Sequence, residues 1–170
     1  MTVEEIFNVT TNHMLEGLMF HEQFMTYYDF LDLQGYRKCH KKHFEEETKN
    51  YFNLYHYYMK TYNMLLPNSK FNQPEVVPAS WHQYTRHDVD MKTKQSAIKQ
   101  GLAVWLKWET ESLEMYENMY SELLSLNKIA DAKEIEKIIC DVHSEIQDIE
   151  HYQICNAATN YDMVRIMEEQ

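Results

Sequence analysis

All three prolines of this 170-residue chain, Pro67, Pro74 and Pro78, fall inside one window between Leu66 and Asp88, and the rest of the chain has none. Proline removes a backbone donor and breaks helices, so the window reads as a connection and its flanks as the places where long helices can run. The punctuation on each flank agrees. Thr2 with Glu5 has the capping-box spacing and opens a first helix from about Val3 to Gln34, with room for an interruption near Thr10-Thr11-Asn12 and a stop at Gly35. A second helix is predicted from about Tyr36 to Leu65, and a third from Asp88 or Asp90 to Leu126-Asn127. Asp131 with Glu134 supplies another capping-box pattern and opens a fourth, continuing to about Tyr161. Short turns place consecutive helices antiparallel, whereas a connection of about twenty residues can carry the chain the length of a bundle. The expected fold is all-α: a four-helix bundle over residues 1–170 as one domain, with a long crossover at about 66–88 and the second and third helices parallel. Other four-helix arrangements stay open.

Composition narrows the function classes. An apolar content of 44% is enough to build a core, while the formal charge of −11 and scattered basic residues lack the footprint needed for phosphate backbones. No nucleic-acid partner is expected. No run approaches the roughly 18 apolar residues of a membrane span, and the start, Met1-Thr2-Val3-Glu4-Glu5, lacks the basic and apolar regions of a signal peptide, so a soluble, cytoplasmic protein is expected. Cys39, Cys140 and Cys155 are odd in number and form no Cys-x-x-Cys pair, which argues for reduced thiols, two of them partly buried, and against a disulfide framework or zinc ribbon. Trp108 and Phe52 fall outside the apolar stripes; read as exposed aromatics, they point to a homo-oligomer.

The chemistry is carried by one acid in the wrong place. On the third helix the stripe runs Ile98, Leu102, Trp105, then Glu109, then Leu113, Tyr116, Tyr120 and Leu123, a three-and-four spacing that puts all of them on one side. An unpaired buried carboxylate is costly and seeks a cation, a metal or a proton. Facing it, the inward side of the first helix holds His13, Gly17, His21 and Tyr28, and that of the second holds His40, His43, Phe44 and Glu47, with His43 and Glu47 an i, i+4 pair. The fourth helix is led by Ile135, Ile138, Ile139, Val142, Ile146, Ile149 and Ala157, with Glu145 at the edge of the stripe and His151 on the far side.

The helix order, Gly35-Tyr36 at the first junction and the Glu45-Glu46-Glu47 stretch beyond it resemble the ferritin-like superfamily, particularly rubrerythrin and bacterial ferritin subunits. The resemblance covers nearly the whole chain in architecture and implies a di-iron centre with a Glu from the first and third helices and Glu-x-x-His from the second and fourth. Aligned on Gly35-Tyr36, it puts ligand positions at Gly17, Asn50 and Asn53, which cannot serve as anionic or imidazole ligands. Glu109 matches the third-helix Glu, and Val142 and Glu145 fall near the fourth-helix pair. A one-turn shift would use Glu16, Glu47 and Asn50, and no Glu-x-x-His occurs in the sequence. Three readings follow. One is a non-standard transition-metal site (iron, manganese or zinc) built from Glu47, Glu109 and Glu145 with His21, His43 or His13. The second is a metal-free bundle serving as a binding or scaffolding module, with Glu109 hydrogen-bonded to a histidine or tyrosine. The third is an unrelated helical enzyme or pocket.

Four further features have ordinary uses. Tyr51, Tyr55, Tyr58 and Tyr62 form a ladder suited to core or interface packing. His40-Lys41-Lys42-His43 reads equally as metal-like spacing or as a solvated turn, Trp81-His82-Gln83-Tyr84 as a short helix covering the bundle or a subunit contact. The eleven methionines fall at stripe positions and fill core gaps. There is no phosphate loop or nucleophile elbow.

Overall fold

The computed structural model describes residues 1–159, apart from the side chains of Ser80 and His87. Among them are four long α-helices and no β-strand. In α1, Val3–Phe30, the Thr2 hydroxyl accepts from the Glu5 amide while the Glu5 carboxylate accepts from the Thr2 amide, the reciprocal cap expected from the sequence. The helix does not break at Thr10-Thr11, because both hydroxyls donate back to the carbonyls of Ile6 and Phe7 at 2.8 and 2.9 Å.

The first turn lies earlier than predicted. Asp32 makes it at φ 56°, a left-handed conformation that Asp tolerates, with Leu31 and Leu33 buried on either side. Gly35 therefore sits inside α2, Gln34–Tyr62, which Asn63 ends at φ 53°. Asp90 caps α3, Met91–Ser125, by accepting from the Thr93 amide at 2.7 Å, and Asn127 at φ 57° turns the chain into α4, Ile129–Ala158. The predicted end of the fourth helix, Tyr161, lies outside the described residues. Asp131 is not a cap. It is buried within the first turn of α4 and accepts from Tyr57 Oη at 2.8 Å and Tyr62 Oη at 2.5 Å, tying the end of α2 to the start of α4.

Contacts set the helix directions. From α1 to α3 they pair Met1 with Glu122, His13 with Ser112, His21 with Trp105, and Tyr28 with Gly101, so numbers fall on one helix as they rise on the other. From α2 to α4 they pair Tyr36 with Asn156, His43 with Glu145, Asn50 with Asp141, and Tyr57 with Asp131, in the same opposed sense. Residues 63–90 follow α1 on its outer side: the Asn72 amide donates to Glu16, the Val76 amide and the Pro74 carbonyl both bond Gln23, and Arg86 reaches Asp32. Trp81, in a short 3-10 helix over Ala79–Gln83, packs edge-on against Tyr27 at 5.2 Å.

Two apolar clusters fill the ends of the bundle. One gathers Ile6, Phe7, Leu54, Tyr58, Tyr116, Leu123 and Ile135, the other Phe24, Tyr28, Leu33, Ile98, Leu102, Trp105 and Ile149. Polar side chains occupy the layer between them. Phe52 is 63% exposed, but Trp108 is not an exposed aromatic: it stacks on Phe20 at 4.7 Å and on His13 at 4.9 Å. Ala157 is exposed and Asn156 takes the inward position, accepting from Tyr36 Oη at 3.2 Å. Among the described residues no helix is long and apolar enough to cross a membrane.

Candidate metal centre

The three-and-four spacing of each helix brings His21 from α1, His43 and Glu47 from α2, Glu109 from α3 and Glu145 from α4 to one level of the bundle. These are the five residues that the sequence nominated. Glu109 is 1% exposed; its Oε1 accepts from Trp105 Nε1 at 2.9 Å and lies 3.9 Å from His21 Nε2. Donor atoms of His21, Glu109 and Glu145 all lie within 4.8 Å of one another, and so do those of His43, Glu46 and Glu145.

Glu47 reaches the layer because α1 makes room for it. A Cβ at Gly17 would stand 2.7 Å from Glu47 Oε2, closer than real Cβ contacts, so the glycine is a cradle for this carboxylate. Asn50 and Asn53 stay at the α2–α4 surface, where Asn50 donates to Asp141 at 3.2 Å.

His40 belongs to the site although the sequence left it open between ligand and solvated turn. It is buried, as is His43, while Lys41 and Lys42 between them are exposed. His40 Nδ1 faces His21 Nδ1 at 2.9 Å, and its ring stacks on Phe24 at 4.4 Å. One of the two nitrogens must donate and the other accept, so the tautomers are linked. If His21 donates from Nδ1, its Nε2 lone pair points free toward Glu109. His13 lies to one side, bonded to Ser112 Oγ at 2.8 Å, and His151 is exposed beside Cys155.

Four atoms of this layer are buried without a hydrogen-bond partner: His21 Nε2, His43 Nδ1, Glu47 Oε2 and Glu145 Oε2. Native proteins carry only a few such orphans per hundred residues, and each calls for a partner. Protons already respond to the strain. Burial and the neighbouring Glu145 raise Glu47 to about 8, and burial, Glu145 and Glu47 hold Glu109 well above the usual carboxylate range. Burial works against a charge on His43, but the neighbouring Cys39 and Glu145 outweigh it and pull the imidazole up to about 10. Burial keeps His21 and His40 neutral, well below the ordinary imidazole value, each further disfavoured by the adjacent histidines.

These shifts set a pH dependence for the metal-free chain. Glu47, Glu109 and His43 bind protons more tightly folded than unfolded, so their contribution is full at low pH and is lost as pH rises, through about 8 for Glu47 and about 10 for His43. His21 and His40 have the opposite sign, and their contribution is lost as pH falls below their ordinary unfolded range near 6.5. Below about pH 6.5 the two sets oppose one another, and above it only the losses remain, so thermal melts in chelator should fall in midpoint from about pH 6.5 toward pH 10. A midpoint still rising at pH 10 would refute the assignment.

No protein-family model matches this chain, and no curated protein matches it. What the fold and the layer define is a class: an all-helical bundle with a buried carboxylate and imidazole cluster at its centre.

Proposed function

We propose that the protein is a ferritin-like bundle binding a divalent transition-metal ion at mid-bundle through His21, Glu47, Glu109 and Glu145, with His43 beside them. The observation that carries this is the convergence of four buried, unpartnered donor atoms on one layer. The opposed contact series along α1–α3 and α2–α4 support the ferritin-like connectivity, because with α1 and α2 antiparallel they make α2 and α3 parallel. Mixed imidazole and carboxylate donors suit zinc, iron or manganese. Such an ion, when bound, supplies Lewis acidity and, for iron or manganese, one-electron chemistry. The chain's own groups do the rest: Trp105 N–H holds Glu109, His40 fixes the tautomer of His21, and Gly17 leaves space for Glu47.

The test is metal titration of the purified full chain with zinc, manganese or anaerobic ferrous iron. At about a hundredfold excess over Kd, binding to the native state alone adds about 2.7 kcal/mol, or roughly 5–10 °C in Tm for a chain of this size. Near pH 7 the central ion should displace the proton that Glu47 holds, measurable by calorimetry in buffers of different ionisation heat. A chain purified without metal whose Tm ignores both metal and chelator would refute the reading and favour the metal-free module.

Aerobic oxidation of added ferrous iron should stay far below the rate of a complete di-iron centre. The layer offers three carboxylates and two imidazoles where that chemistry uses about four and two, because Asn50 and Asn53 face away from it. A rapidly formed ferric oxo band would overturn that expectation.

A further inference from the structure

We propose a second divalent-cation position, outside the central one, made by His43, Glu46 and Glu145 on the floor of the cavity between α2 and α4, through which the central ion is loaded. It rests on the reading of the centre as a metal site. The cavity holds about 320 Å³ and is walled by Lys42, Glu46, Lys49, Asp141 and Asp148, with His43 and Glu145 at the bottom. His43 Nδ1 lies 3.3 Å from Glu145 Oε2 and 3.7 Å from Glu46 Oε2. Ligands that each sit ~2.1 Å from a common ion are about 3–3.5 Å apart, so small side-chain movements suffice.

The cluster is more than a group of acids. The His43 side chain is only 7% exposed, and its Nδ1 and Glu145 Oε2 are both buried without a hydrogen-bond partner, aimed at the same space. Lys42 engages Glu46 Oε1 at 3.7 Å and leaves Oε2 turned toward His43. Glu145 is the one residue common to this group and to the inner group of His21 and Glu109. An ion arriving from solvent therefore meets an outer set of donors, and a single shared carboxylate joins that set to the buried one. Glu46 is exposed and takes no part in the core, so it can be altered without disturbing the fold.

Zinc binding to the full chain, followed by equilibrium dialysis and by stopped-flow competition with a chelating dye, tests the proposal. Wild-type protein should take up two ions, one tight and one at least tenfold weaker. Glu46→Gln should retain the tight ion, lose the weak one and load at least tenfold more slowly, with an unchanged Tm in chelator. One ion per wild-type chain at saturation, or two in Glu46→Gln, overturns the outer position while leaving the central site standing. Loss of the weak ion at an unchanged loading rate overturns its role in loading. No ion in wild-type protein removes the central site and this proposal together.

Discussion

Replacing Glu109 with glutamine is expected to weaken binding of the central metal by at least about 100-fold, on the order of 3 kcal/mol, without destabilising the metal-free protein at pH 7. Glutamine keeps the length of the side chain and a carbonyl oxygen to accept from Trp105 Nε1, so the fit in the α3 stripe is preserved. What it gives up is the capacity to become an anion at the centre of the donor set. In the metal-free chain burial, Glu145 and Glu47 hold Glu109 well above the usual carboxylate range, so its anionic form is already disfavoured. At pH 9 the variant should be the more stable of the two, since ionisation of the buried acid is no longer available to it. Calorimetric titration with zinc and melts in chelator at pH 7 and 9 check both halves. Unchanged affinity would remove Glu109 from the ligand set.

Gly101→Ala is expected to lower Tm by several degrees, although alanine is the better helix former by about 1 kcal/mol. A Cβ at Gly101 would overlap Tyr28 Oη and press on Phe24 Cε1 at 3.2 Å. Tyr28 is fully buried and enclosed by Phe24, Tyr27, Tyr36 and His40, so the ring has nowhere to go. Overpacking of this kind costs about 1–3 kcal/mol, and each kilocalorie is worth roughly 2–4 °C at this chain length. Because Tyr28 Oη is buried without a partner, Tyr28→Phe alone should be neutral or stabilising and should restore most of what Gly101→Ala loses. A double variant no better than Gly101→Ala would show that the clash lies elsewhere.

The helices and the polar layer were legible where local rules decide. Proline confinement marked residues 66–88 as a connection where the structure has 63–90, Thr2 caps as expected, Asp90 of the two candidate starts caps α3, and the stripe interruption at Glu109 points inward. The failures are non-local. Asp131 has the spacing of a cap, but the phenols that claim it come from Tyr57 and Tyr62 on another helix. Gly17 reads as an absent ligand in one helix and as a cradle only once Glu47 is laid against it. Trp108 stands outside its own stripe, yet Phe20 and His13 of α1 cover it. His40 carried too little signal to separate a buried partner of His21 from a solvated residue beside two lysines. Helical periodicity fixes the face a residue takes, and it is silent on how neighbouring helices are rotated against each other.

The long connection beside α1 divides the donors into two sets. His21, His43 and Glu47 come from the hairpin that precedes it, and Glu109 and Glu145 from the hairpin that follows. Each hairpin can form from contacts close in the chain, whereas the polar layer exists only after the two have docked. A single proteolytic cut within residues 63–90 would leave two complete helical hairpins as separate fragments, and a metal ion at the centre would then be an intermolecular clasp whose affinity depends on fragment concentration. The molecule is in this respect a covalently tethered heterodimer, with its centre at the seam.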